Sequence, residues 1–357
     1  MNAIRSRLLL ALTLAAATGC AGSGRPGSAP VPVTRQWPVT IEEHIDLWLH
    51  GYALLTRDVS QVPVFRRGYR DTLDAVRAEQ HVLTGLDANH AQLATLMARN
   101  PEIANGQFLP LYFDSWDTLT TAIDAFVRAG GVPPREPAAR QQYALLNSFF
   151  PTAQSREWLR LFTQAEASES SQFYHAYWMA QETSRRGVVT AVDSLFDAVR
   201  PRLRRFLTTT RQTGGKLVLS LVLGGEGRTL NASPDHNVVV VTMPRSPADA
   251  AQAIYGFAHE IVQSIATSAV NDNMSPAEQR SGAAAALQPI AAVRAGAMLL
   301  QQTVPELAEG YMRFYLAQAG VAAPAGNPEA KFIETFDVPS AVTAALMRQI
   351  ATALGRI

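Results

Sequence analysis

The sequence predicts an α+β fold that is predominantly α-helical, with a small β-sheet in the second half. Before residue 212, apolar residues recur at the three- and four-residue spacing of amphipathic helices. After the glycines at 214 and 215 come short runs that are rich in valine and leucine and bounded by turn residues, which indicates strands. Because these strands are grouped instead of alternating with helices throughout the chain, the pattern favours α+β over a doubly wound sheet.

The helices predicted for the first half follow from apolar spacing and from glycine and proline stops. The clearest stop is Gly130-Gly131 followed by Pro133-Pro134, which ends the helix that begins at Trp116. A loop is expected at 101–110. The predicted helical segments are 41–55, 67–99 with a break near 85–87, 116–129, 138–149, 155–184 and 188–211, the last two joined near Gly187.

The second half combines strands with further helices. The turn at 224–227 is glycine-rich but lacks the lysine and the helix that a phosphate-binding P-loop requires. Ser275 and Glu278 form a capping box, which predicts a helix start at Pro276. The predicted strands are 216–223, 228–231 and 237–243, and the predicted helices are 247–270, 276–303 with a kink at Pro289, 305–319 and 338–354.

The first nineteen residues are predicted to be a signal peptide. Arg5 and Arg7 precede an apolar run, Leu8 to Leu14, that is too short to cross a bilayer as a helix. The segment Ala17-Thr18-Gly19-Cys20 that follows resembles the bacterial lipobox, where a lipoprotein signal peptide is cleaved. This resemblance implies that Cys20 carries acyl chains such as palmitate. It also implies export and anchoring to the membrane, with residue 21 (alanine) favouring the outer membrane facing the periplasm.

Composition limits the classes of partner. Residues 20–39 are rich in glycine, serine and proline and are expected to act as a flexible tether, followed by a helical region at 40–212 and an α+β region at 213–357.

The full chain has a net charge of +1, and loss of Arg5 and Arg7 with the signal peptide leaves −1. Lysine and arginine form no run, so no nucleic-acid partner is expected. The only cysteine is Cys20, which excludes cysteine catalysis if it is lipidated.

His259, Glu260 and Gln263 nearly match a zinc-peptidase motif. In that motif two histidines one helical turn apart bind the metal, and the glutamate after the first histidine serves as general base. Here a glutamine stands in place of the second histidine, and its neutral amide oxygen is a weak zinc ligand. A His-Glu pair also arises by chance on helices. A packed core histidine without metal chemistry therefore stays open as an alternative.

The order of elements around this motif resembles the zincin-fold metallopeptidases, particularly the gluzincins. The resemblance covers roughly residues 213–320, where a strand precedes the His259 helix and further helices follow it. It implies His259 as first metal ligand, Glu260 as general base and Gln263 in the place of the second ligand. A glutamate from a later helix completes the zinc site in that family, and Glu306 or Glu309 is the candidate here. His236 and His175 are further possible donors.

Arg294 lies in the middle of the helix between the motif and those glutamates. A cation facing the site would oppose metal binding. The alternative hypothesis is that Arg294 neutralises Glu260, forming a buried ion pair where family members hold zinc.

Together these features predict a lipid-anchored cell-envelope protein with a zincin-like region and weak or no peptidase activity. Two alternatives remain: an active zinc-dependent peptidase of the envelope, and a helical binding or scaffold lipoprotein unrelated to peptidases. No resident cofactor is expected, and zinc is the ion that a working site would bind. The expected partners are the membrane, through Cys20, and a peptide or protein.

Overall fold

Most of the protein is built from α-helices, and the strands meet in one small sheet. The computed structural model describes residues 36–56 and 60–356. Helix accounts for 69% of the structure, and a sheet of four strands of mixed direction accompanies it, which confirms the predicted α+β class. The signal segment, Cys20 and most of the tether lie outside the described residues. In chain order, the α-helices are α1 (Glu43–Leu55), α2 (Tyr69–Gln80), α3 (Gly85–Arg99), α4 (Trp116–Arg128), α5 (Pro137–Phe149), α6 (Ala153–Glu169), α7 (His175–Thr209), α8 (Ala251–Ile261), α9 (Gln263–Asn273), α10 (Pro276–Arg280), α11 (Ala283–Thr303), α12 (Pro305–Gln318), α13 (Glu329–Thr335) and α14 (Ser340–Ala353).

The strands are β1 (Val39–Thr40), β2 (Gly215–Ser220), β3 (Arg228–Ser233) and β4 (His236–Thr242). Their order across the sheet is β1-β2-β4-β3; the first three are parallel, and β3 runs antiparallel to β4 at one edge. Consecutive residues of β2 and β4 are buried, as expected where helices cover both faces of a sheet. The carboxyl ends of β2 and β4 therefore lie side by side.

Two helical joints differ from the predicted ones. The predicted joint near Gly187 is absent, because α7 runs unbroken through that glycine. The irregularity lies earlier, where a π-helical turn, Ser170–Tyr174, connects α6 to α7. The predicted helix from Pro247 to residue 270 is also divided: a 3-10 turn, Pro247–Asp249, precedes α8, and α8 and α9 are separated at Val262. The segment predicted as a loop at 101–110 forms a 3-10 helix, Pro101–Tyr112.

Helix α11 forms part of the core of the second half. It is the one helix of the described residues that is long and apolar enough to cross a membrane. Just over half of its most apolar stretch is buried inside the protein, and it packs against α8, α9, α12 and α14. It continues through Pro289, and the helix predicted from Pro276 to residue 303 is instead divided before Ala283, at Gly282 with φ of 82°.

The two regions predicted on either side of residue 212 share one hydrophobic core. Asp46 on α1 joins them: its carboxylate accepts hydrogen bonds from the Ser220 hydroxyl, the Leu221 amide at 3.3 Å and the Trp178 indole at 3.1 Å. Burial raises the pKa of Asp46 to about 6, against the effect of these three donors. The first helix and the sheet are thus fixed to each other by a buried polar contact.

Candidate functional site

Helix α8 carries the motif residues into the protein interior. It follows β4 through the 3-10 turn and packs closely on that strand, because Gly256 places no side chain against Val241; a Cβ there would lie 2.9 Å from the Val241 Cβ. Every residue from Ala253 to Ile261 is buried. His259 is 0% exposed and Glu260 is 2% exposed, so substrate has no direct access to either side chain.

Glu260 is held by the loop and strand that form the edge of the sheet. Its Oε1 accepts a hydrogen bond from the Gly227 amide at 3.0 Å, and its Oε2 accepts one from the Thr229 hydroxyl at 3.4 Å. Burial raises the pKa of Glu260 to about 7. The positive charge of Arg228 opposes this rise, and the carboxylate of Glu226 adds to it. The glutamate therefore carries its proton through most of the acidic range.

His259 is enclosed by the first residue of α9 and by α12. Its Nε2 lies 3.0 Å from the Gln263 amide nitrogen, and its ring packs against Tyr315 with 5.3 Å between the ring centroids. Burial, together with the charge of Arg228, lowers the pKa of His259 to about 3. The 3.6 Å approach of its Nε2 to Glu260 is therefore a contact of a neutral imidazole and not an ion pair. The other ring nitrogen, Nδ1, is buried without a hydrogen-bond partner.

The donor set around His259 does not fit a zinc ion. The nitrogen that would face a metal, Nε2, already contacts the Gln263 amide group. Glu306 pairs with Arg202 and Glu309 with Arg313, and both glutamates are more than half exposed, unlike the buried histidine. Within residues 36–56 and 60–356, no three histidine, cysteine or acidic side chains are grouped as metal ligands. The structure therefore provides neither candidate for the third ligand.

The other candidate histidines are also apart from this site. His236 contacts the Ser233 hydroxyl at 3.0 Å in the tight connection between β3 and β4. His175 lies beside Glu43 at 2.8 Å, and its side chain is 60% exposed. Each of these two histidines has a nearby polar partner that accounts for its position without a metal.

The expected pairing of Arg294 with Glu260 requires correction. Arg294 donates to the Phe336 carbonyl at 3.3 Å, and the carboxylates of Asp337 and Glu329 partly offset the effect of burial, which lowers its pKa. It lines a cavity beside α13 and α14, because position 294 of α11 faces those helices and not α8. The cation that acts on Glu260 is Arg228, whose guanidinium lies 4.5 Å from the centre of the Phe108 ring.

A second group of buried polar residues lies among the helices of the first half. The His50 ring contacts the Tyr69 hydroxyl through Nδ1 and the Glu169 carboxylate through Nε2, both at 2.9 Å. Glu169 also accepts hydrogen bonds from Arg77 and Thr84. No sequence signal pointed to this group, because its members lie on three helices and at the N-cap of a fourth, and only their unusual burial distinguishes them.

Comparison of the chain with protein-family models, with characterised proteins and with solved structures finds no match. The functional argument therefore rests on the residues of this chain and on their geometry.

Proposed function

We propose that this protein is a lipid-anchored cell-envelope protein whose zincin-like region has a structural role and no peptidase activity. The lipobox residues that support anchoring precede residue 36, so that part of the proposal is carried by the sequence. The described residues begin at 36, and Trp37, which is 1% exposed, lies 17 positions after Cys20. A tether of that length lets the body stand off a membrane surface.

One observation supports the proposed loss of metal chemistry: His259 Nε2 contacts Gln263 in a site where the described residues offer no other ligand. A catalytic zinc site needs three protein ligands and an open position for water. Here the described residues offer one buried imidazole and an amide, and the general-base candidate Glu260 is hydrogen-bonded to Gly227 and Thr229. These contacts hold the side chains within the fold. They leave no open position at which a metal-bound water could be activated.

The antiparallel edge strand supports the zincin-like interpretation of the architecture. In this chain β3 lies at the edge of the sheet, and Thr229 of that strand contacts Glu260 of α8. The motif helix and the sheet edge are thus directly connected, as expected for a region that keeps an enzyme-like framework. We infer that the glutamate now fixes the loop before β3 instead of activating water.

Peptidase activity gives a direct test of this proposal. Soluble protein beginning at residue 21 should hydrolyse fluorescently labelled casein no faster than Glu260→Gln, with or without added zinc. The two proteins should show the same circular dichroism spectrum, so that the comparison is between folded chains. Zinc-dependent hydrolysis that disappears in Glu260→Gln would instead favour the active-peptidase alternative.

Lipid anchoring has its own test. In a diderm host, full-length protein should incorporate labelled palmitate and sediment with membranes, whereas Cys20→Ala should do neither. Several acyl chains together provide stable attachment, at roughly 0.8 kcal/mol per buried CH2 group. Membrane attachment and labelling that survive in Cys20→Ala would contradict this part of the proposal.

A further inference from the structure

A cavity rich in arginine opens at the carboxyl ends of the parallel strands. It has a volume of about 340 Å³ and is lined in part by Leu221, which directly follows β2. Arg66 and Arg245 also line an adjoining cavity of about 210 Å³ with Thr242 and Met243, at the end of β4. Open sheets with parallel strands commonly bind ligands in the crevice beyond the strand carboxyl ends. Four arginines line the larger cavity: Arg66, Arg67, Arg185 and Arg245.

Neutral oxygen atoms hold the arginines that form the base of the cavity. Arg66 donates through Nη2 to the Met243 carbonyl at 2.6 Å and to the Thr242 hydroxyl at 3.1 Å. Arg185 donates to the Gln181 side-chain oxygen at 3.1 Å and to the Pro244 carbonyl at 3.3 Å. These contacts orient both guanidinium groups without cancelling their charges.

The remaining two arginines are exposed and also lack a neutralising carboxylate. Arg67 donates to the Gln318 carbonyl at 2.9 Å and to the Ser60 carbonyl at 3.2 Å. Arg245 makes no hydrogen bond to the part of the chain that the structure describes. Among these described residues, no carboxylate lies within ion-pair distance of any of the four arginines. Elsewhere in the protein, surface arginines do have such partners, as Arg160, Arg202 and Arg313 show.

Asp46 is an acid whose charge acts on Arg66, but its carboxylate is already hydrogen-bonded to other groups. Asp46 is 1% exposed and already accepts three protein donors, from Ser220, Leu221 and Trp178. Its charge raises the pKa of Arg66 only slightly, whereas burial and the charges of Arg185 and Arg245 together lower that pKa to about 10. Like charges brought together at a partly buried site cost free energy, so the arrangement calls for an anion that offsets them.

We propose that this arginine cavity binds the phosphate group of an anionic ligand. Several guanidinium groups around one space suit a phosphate, which offers three oxygen atoms and up to two negative charges. The Tyr177 ring and Leu221 add an apolar wall that suits an attached organic group. Tyr69 and Thr72, in the first turn of α2, also line the cavity.

The phosphate can belong to a lipid headgroup or to a water-soluble ester, and two binding experiments distinguish these sources. The first uses calorimetry of soluble protein beginning at residue 21 with inorganic pyrophosphate, at constant ionic strength. The second measures co-sedimentation with phosphatidylcholine vesicles that contain phosphatidic acid, against phosphatidylcholine alone. Both experiments use protein that lacks the anchor. A negative binding result is therefore independent of the lipidation of Cys20 and of the result of the peptidase test.

Arg245→Gln is the informative variant, because Arg245 is exposed and makes no contact that the fold needs. Arg245→Gln should weaken binding by about tenfold in whichever of the two experiments detects it, because one charge-assisted hydrogen bond is lost. Arg186→Gln is the matched control. It removes the same charge from the neighbouring surface of α7, where Arg186 lies 3.7 Å from Glu182, and it should leave affinity unchanged.

Saturable pyrophosphate binding without vesicle binding would identify a soluble ester as the ligand class. Binding to the vesicles that is displaced by pyrophosphate would identify a lipid headgroup as the ligand class. Absence of binding in both experiments overturns the proposal. Equal affinity in wild-type protein and Arg245→Gln, or an equal loss in Arg186→Gln, also overturns it.

Discussion

Replacing Glu169 with glutamine should lower the free energy of unfolding by about 3 kcal/mol, the largest single effect that we expect in the helical region. Glu169 is 0% exposed and accepts hydrogen bonds from His50, Arg77 and Thr84. Burial acts to raise its pKa, but these partners lower it overall. Glutamine would leave the buried Arg77 without this negative partner and would point an NH2 group at other donors. Urea denaturation at neutral pH measures the change.

Glu166 provides a matched control on the same helix. It is also 0% exposed, but both of its carboxylate oxygens lack a hydrogen-bond partner. Burial and the charge of Glu169 raise its pKa well above the usual value, which favours its neutral form. Glu166→Gln keeps both shape and charge and should change stability by less than about 1 kcal/mol. Equal losses in the two variants would show that Glu169 is not the charged centre of this group.

The second large effect is expected for Gly227→Ala, which should unfold the loop that holds Glu260. A Cβ at this position would lie 2.3 Å from the Val240 carbonyl oxygen and 3.0 Å from the Glu260 Cγ. The oxygen belongs to the backbone of β4 and cannot move without disturbing the sheet. We expect the free energy of unfolding to fall by about 3 kcal/mol and the near-ultraviolet circular dichroism signal of the adjacent Tyr315 to change.

Gly326→Ala is the control for this substitution. A Cβ there would meet no atom within 4 Å, so its stability should match that of the wild-type protein. If Gly227→Ala were as stable as Gly326→Ala, the loop would not be packed against β4 and Glu260 in the way the structure indicates.

Local sequence signals predicted the elements whose causes are local. The capping box of Ser275 and Glu278 is present, with the Ser275 amide donating to Glu278 at 2.7 Å. The helix expected at Trp116 begins there. The strands expected at 216–223 and 237–243 are found as β2 and β4, within a few residues at their ends. In each case apolar spacing or a capping residue next to the element determines the structure.

Features that depend on distant residues were not predictable from these signals. His50 meets Glu169 across 119 positions of sequence, and no pattern in a single chain connects them. The same is true of Arg66, Arg185 and Arg245, which come from different elements and gather at one cavity. The separation of α8 and α9 at Val262 also lacks a glycine or proline signal, since the residue there is an ordinary buried valine.

The His259–Glu260 motif includes one feature that the sequence predicted and one that it could not. The sequence predicted His259 and Glu260 on a helix that follows a strand, and they lie on α8 after β4. It could not show which cation acts on Glu260, because Arg228 is close in space but 32 positions away in sequence. Burial is the main cause of both shifted pKa values; the charge of Arg228 adds to the lowering at His259 and opposes the rise at Glu260.

The zinc content of the purified protein tests the central claim most directly. Soluble protein beginning at residue 21 should be equilibrated with zinc, freed of excess ion and analysed by mass spectrometry of the metal, beside His259→Ala. Because the described part of the chain offers no third ligand, we predict far less than stoichiometric zinc in both proteins, with no difference between them. Stoichiometric zinc in the wild-type protein that is lost in His259→Ala would contradict a structural role for this site.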